Sequence, residues 1–229
     1  MSVNLKLLTA GFVGLFVIFA LALFLGAGTI FWPAGWAYLA LFFGANIALA
    51  RWLLRHDPGL LQERMTGGLG KPGEPTWDKV FLAGLQVFLL AWLVLMGLDA
   101  VHFRWSQMPA WLQVAGAILL LVSFYLFFLT FRENPFASPA VRVQTERGQT
   151  VISTGPYHYV CHPLYAAGIP FAVGTTLMLG SWYGLLMGLI FLVGLAFRAV
   201  QEEQVLRAEL PGYKEYMAQA KYRFLPHVW

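Results

Sequence analysis

Charge is what this chain has least of. Asp, Glu, Lys and Arg make up 11% of its 229 residues, against 59% hydrophobic ones. A soluble domain carries about 25% charged residues, so a water-soluble fold could not cover its surface here. Cysteine is nearly absent: Cys161 stands alone, which excludes a disulfide framework within the chain. No basic patch interleaved with aromatics is present, which excludes a nucleic-acid groove. The net charge of +4 is modest, and the basic residues sit in short segments between apolar runs, where they report topology. No internal repeat is visible, so a repeat-built transporter loses support.

What the chain has instead is apolar runs. Crossing the hydrocarbon core takes about 20 residues of helix. Six runs qualify: Leu7–Leu25, Gly35–Leu54, Val80–Ala100, Trp111–Phe131, Leu164–Leu179 and Trp182–Val200. The fifth is short and carries Pro170, so a kink or tilt is expected there. The 1–28 stretch resembles a signal peptide in having Lys6 and Gly26-Ala27-Gly28. Its apolar run is longer than a signal core and other spans follow, so it reads as a retained first helix.

Basic and neutral connections alternate. Arg51, Arg55, Arg64, Lys71 and Lys79 lie in the second; Arg132, Arg142 and Arg147 in the fourth; Arg207, Lys214, Lys221 and Arg223 in the tail. The positive-inside rule then places both termini in the cytoplasm. The 55–77 loop holds Asp57-Pro58-Gly59, Gly67-Gly68 and Lys71-Pro72-Gly73, and reads as irregular or partly helical. Trp32, Trp36, Trp77, Trp105, Trp111 and Trp182 lie near span ends and read as an aromatic belt. Gly184 and Gly188 form a small-residue pattern that lets helices approach. The expected fold is an all-α integral membrane protein of about six transmembrane helices, ending in a helical hairpin and a cytoplasmic helical tail. Residues 1–131 read as a four-helix scaffold and 132–229 as the catalytic part of one compact unit.

Titratable groups cluster late in the chain, in Gly155-Pro156-Tyr157-His158-Tyr159-Val160-Cys161-His162-Pro163-Leu164-Tyr165 and in Arg198 with Glu202-Glu203. Ionisable groups beside hydrocarbon are costly and mark a working site. His158 and His162 have metal-like i, i+4 spacing, but no second ligand pair is nearby, so no metal is expected. His162 and Tyr165 share a face where a helix enters the membrane, and such a helix start suits an anionic group such as a carboxylate. Cys161 reads as a small apolar residue rather than a nucleophile. Arg198 and Glu202 can pair at i, i+4 on one helix. Two carboxylates against one guanidinium leave a negative charge for a cationic ligand.

These residues resemble the isoprenylcysteine carboxyl methyltransferase family and its bacterial and phospholipid-methylating relatives. The resemblance rests on Gly155-Pro156-Tyr157, His162-Pro163-Leu164-Tyr165, Arg198, Glu202-Glu203, Leu206, Tyr213, Tyr216 and Tyr222-Arg223-Phe224-Leu225-Pro226. It implies S-adenosylmethionine as methyl donor, bound between the last hairpin and the tail. By position, His162, Tyr165 and Glu202 would hold its amino-acid part, with Tyr157 and Pro163 lining the pocket. Arg198 and Glu203 would face the reacting centre as catalytic residues, Glu203 also touching the cofactor. The acceptor would be lipophilic or small, such as a prenylcysteine carboxylate, a phospholipid amine or a thiol, entering from the membrane lipids. A bacterial inner membrane is the implied location; no oligomeric state is implied. The family usually has arginine where this chain has Cys161, and a thiol cannot replace that forked donor. Two other readings compete. A sterol-reductase-like enzyme would use NADPH, with Arg207, Lys214, Lys221 and Arg223 available to its phosphate. A carrier or assembly protein would bind no cofactor.

Overall fold

The computed structural model describes residues 3–66 and 73–229. Among them the chain is helical without strands: α1 (Leu5–Ala27), α2 (Pro33–His56), α3 (Pro58–Thr66), α4 (Thr76–Gly97), α5 (Ala110–Glu133), α6 (Pro163–Ala166), α7 (Gly168–Leu179), α8 (Trp182–Glu209) and α9 (Tyr213–Gln219). Five of these helices, α1, α2, α4, α5 and α8, are long and apolar enough to cross a membrane, and α6–α7 form a shorter apolar unit. The protein is an integral membrane protein.

Local chemistry sets the ends. The Asn4 side chain accepts from Leu7 N–H at 3.1 Å to start α1, and Gly28 ends it in the left-handed region. Ser181 Oγ accepts from Gly184 N–H at 2.8 Å and starts α8. The expected break in the fifth run falls at Ala167, between α6 and α7. Pro170 has no N–H to give back to the Ala166 carbonyl and its ring crowds that group. Next to it, the Ala167 carbonyl accepts from Phe171 N–H at 3.2 Å and from Ser123 Oγ at 2.8 Å, tying α5 to the break.

α5 packs most extensively on α7, and α1 on α4. The α5–α7 approach depends on Gly116 and Gly174, each of whose missing Cβ would run into the other helix's backbone. Gly184 and Gly188 also work through packing: a Cβ at the first would meet Met96 and Thr176, and at the second Trp92 and Ala172. Trp92 uses this room to donate its indole N–H to the Gly184 carbonyl at 2.8 Å. Leu23, Tyr38, Leu39, Trp92, Met96 and Leu120 make the centre of the main core. Trp36, Trp105, Trp111 and Trp182 are exposed, as a belt requires. Trp32 is not; it is buried against the α1–α2 corner, where it sits beside Gly35.

The 55–77 loop is partly helical through α3. Its Gly67-Gly68 and Lys71-Pro72 breakers lie outside the described residues. Gln201–Glu209 continues α8 without a break. Gly212, in the left-handed region, restarts the chain as α9.

Candidate active site

The segment after α5 folds over the helix ends and the tail folds back onto it. Gly155 begins a 3-10 turn with φ +57°, and a Cβ there would strike the Glu133 side chain, so both conformation and space require glycine. The Tyr157 hydroxyl accepts from Asn134 Nδ2 at 2.7 Å. Tyr216 from α9 donates to the Tyr157 carbonyl at 2.7 Å. The backbone N–H groups of Cys161 and His162 donate to the carbonyls of Tyr222 and Arg223 at 2.8 and 3.0 Å. Cys161 Sγ faces the Ala220 carbonyl at 2.9 Å. The tail is therefore part of the site's wall.

Under this roof lies a cavity of about 290 Å³, at the small end of the about 300–1,000 Å³ usual for small-molecule sites. Tyr157, Cys161, His162, Pro163, Tyr165, Arg198 and Glu202 line it, with Tyr213 and Tyr216 from the tail. Arg64 and Leu82 add walls from the first half of the chain. His158 does not line it. Among the described residues, no group of three or more His, Cys, Asp or Glu is arranged to hold a metal.

The two carboxylates divide. Glu203 is 2% exposed and turned out of the cavity. Arg223 grips it with two donors at 2.8 and 2.9 Å, and Arg207 lies at 3.5 Å. His162 Nε2 faces Glu203 Oε1 at 3.3 Å. An ionised carboxylate can only accept, so Nε2 carries a hydrogen, and in the neutral imidazole this leaves the Nδ1 lone pair free. Glu202 lines the cavity and accepts from the Tyr165 hydroxyl at 2.5 Å. His162 Nδ1 sits 3.9 Å from Glu202 Oε2, and the imidazole stacks on the Tyr165 ring with centroids 5.3 Å apart.

His162 and Tyr165 have already given their hydrogens to Glu203 and Glu202, so a carboxylate would find no donor there. What remains is a lone pair beside an anionic oxygen, which is a seat for a cation.

Arg198 does not pair with Glu202. Its Nε and Nη2 meet both carboxylate oxygens of Asp78 at 2.9 and 3.2 Å, and Nη2 also donates to the Pro139 carbonyl at 2.6 Å. Asp78 is fully buried and further accepts from Val141 N–H at 2.7 Å. Sequence reasoning passed over Asp78; its signal was an acidic residue in the first turn of an apolar helix. Tyr213 was noted only as a motif position. Its hydroxyl is buried with no hydrogen-bond partner, and burial pushes its pKa well up. A buried orphan hydroxyl on a cavity wall fits a ligand that supplies its partner.

A helical membrane unit whose interfacial cavity offers a cation seat, buried arginine and tyrosine walls defines a membrane-embedded enzyme that binds a small charged cofactor. Residues 111–210 match the phospholipid methyltransferase family, PEMT. The protein is a membrane S-adenosylmethionine-dependent methyltransferase. No curated protein matches the chain.

The tail cations that the competing reductase reading called on are not in the cavity. Arg207 and Arg223 are committed to Glu203, and neither they nor Lys214 and Lys221 line the cavity.

Proposed function

We propose that the cavity binds S-adenosylmethionine with its cationic amino-acid end on Glu202 and the His162 Nδ1 lone pair. The observation that carries this is the surplus acceptor character at that corner: Glu202 has no lysine or arginine within ion-pair distance among the described residues. Tyr157, Pro163 and Tyr165 wall the same corner, and the Tyr213 hydroxyl supplies a polar contact to the nucleoside. When bound, the cofactor supplies a sulfonium-activated methyl group. The chain's own contribution is placement, which is the main source of rate when reacting atoms are held about 3 Å apart and in line.

Glu203 acts in this reading as a positioning residue: it fixes the tautomer and angle of His162 from outside the cavity. For a carboxylate acceptor, the Arg198 Nη1 edge, which Asp78 leaves uncovered, is the available donor. The acceptor is a lipid: Leu82 and Leu164 give the cavity apolar wall, and both phospholipid and prenylcysteine chemistry suit it. The helix ends around the site carry Arg51, Arg55, Arg132 and Arg207, which supports a cytoplasmic site with both termini on that side, as in a bacterial inner membrane.

Titration calorimetry of the purified protein with S-adenosylhomocysteine tests the reading. Binding is expected in the micromolar range, weakened on the order of tenfold or more by Glu202→Gln and by His162→Ala. Absence of binding at millimolar ligand overturns it.

A further inference from the structure

The cavity's charges are not evenly matched. Arg142 is held by Glu63 at 3.1 Å and Glu146 at 2.7 Å, and Arg198 by Asp78. Arg64 has no such partner. It reaches the cavity from α3, lies over the Phe131 ring at 4.3 Å and donates Nη1 to the Ala137 carbonyl at 2.9 Å. No carboxylate lies within ion-pair distance of it among the described residues. A guanidinium offers five donors; one is spent on Ala137, and none of the rest is sealed off from solvent space. Burial lowers its pKa to about 10, so the side chain keeps its charge at neutral pH.

The position of that charge matters as much as its lack of a mate. Arg64 bonds the carbonyl of Ala137 and Arg198 the carbonyl of Pro139, so one short strap separates the two guanidiniums. The cation seat at Glu202 is built from α6 and α8 instead. Arg64 also lies outside residues 111–210, the family-matched part.

We infer that Arg64 is the acceptor-recognition residue of the enzyme, seating an anionic oxygen group, phosphate or carboxylate, at the headgroup of an amphiphilic methyl acceptor. This rests on the proposed cofactor site, since it assigns another part of the same cavity's wall. Guanidinium suits both anions by paired N–H donation. The Phe131 face holds the plane of the fork, and Leu82 and Leu164 offer apolar wall for the chain.

The test is a titration of dodecyl phosphate and, separately, of dodecanoate into purified protein in a neutral maltoside detergent, with and without saturating S-adenosylhomocysteine. Wild type is expected to bind at least one of the two, and their order tells phosphate from carboxylate recognition. Arg64→Gln should weaken that binding on the order of 10- to 100-fold, Arg64→Lys should retain part of it, and both should bind S-adenosylhomocysteine as wild type does. That unchanged affinity also certifies that the variants are folded. Equal anion binding by Arg64→Gln and wild type overturns the inference. So does loss of S-adenosylhomocysteine affinity in Arg64→Gln with Arg64→Lys intact, because Arg64 would then hold the donor's own carboxylate. If wild type binds no S-adenosylhomocysteine, the cofactor reading fails, while the anion titration on ligand-free protein still decides Arg64.

Discussion

The Arg198 guanidinium and the Asp78 carboxylate form a two-bond ion pair across 120 residues of sequence, joining α8 to the first turn of α4. Asp78 is fully buried and also holds Val141 N–H, so one carboxylate fixes both the arginine and the strap that roofs the cavity.

Removing one partner of a buried pair strands the other, at a cost of about 3–5 kcal/mol. Asp78→Asn is therefore expected to lower the thermal midpoint in detergent strongly and to abolish methyl transfer. The double variant Asp78→Asn/Arg198→Gln should recover part of the stability and none of the activity. A double variant no more stable than Asp78→Asn would show that the pair is not the coupling.

Glu202 and Glu203 are adjacent in sequence and differ in surroundings, so their variants should separate. Glu203→Gln loses a carboxylate held by Arg223, His162 and Arg207. Its main expected effect is lower stability, with cofactor affinity falling because His162 loses its anchor. Glu202→Gln leaves that network untouched. It should lower S-adenosylhomocysteine affinity on the order of tenfold or more, with little change in thermal midpoint. Thermal scans and calorimetry on the same preparations read both. The opposite pattern would return the ligand-facing role to Glu203.

The long spans were legible because the bilayer demands length and hydropathy, both one-dimensional properties. Clustered polar residues near Gly155 and Glu202 were legible for the same reason: charge is conspicuous in an apolar chain. Which way each side chain points was not. Whether Glu202 or Glu203 faces the cavity depends on the phase of α8 and on Arg223 in the folded-back tail, a contact no local pattern encodes. Asp78 was passed over, because nothing local to α4 shows that α8 brings Arg198 against it. Arg64 read as a topology charge, since nothing in α3 indicates that Phe131 and Ala137 pack on it.

Cys161 should be unreactive at neutral pH. Burial, then the nearby Glu203 charge, pushes its pKa up to about 11, and Sγ faces the Ala220 carbonyl. At pH 8 the thiolate fraction is then about one in a thousand, against about a quarter for a free cysteine of pKa about 8.5. Iodoacetamide labelling at pH 8 should be on the order of 100-fold slower than for a free thiol, rising about tenfold per pH unit towards pH 11. The folded state favours the neutral thiol, so its contribution to stability is complete below the unfolded pKa and fades as pH rises towards about 11. Cys161→Ser should keep methyl transfer within a few-fold. Fast labelling at pH 7 would require a nucleophilic thiolate in the site.

Tyr213 gives the sharpest separation of ligand binding from stability. Its hydroxyl is buried without a hydrogen-bond partner, and leaving such a group unsatisfied costs about 1–3 kcal/mol. Tyr213→Phe removes only that oxygen, while the ring keeps its packing against Tyr216, 5.8 Å away between centroids. The ligand-free variant should be as stable as wild type or more so. With S-adenosylhomocysteine bound the order should invert, because the ligand satisfies the hydroxyl only in wild type. The expected signature is a smaller ligand-induced rise in thermal midpoint and an affinity lower by roughly three- to thirtyfold. If Tyr213→Phe binds the nucleoside as tightly as wild type, the hydroxyl does not contact it, and α9 contributes wall without contributing a bond.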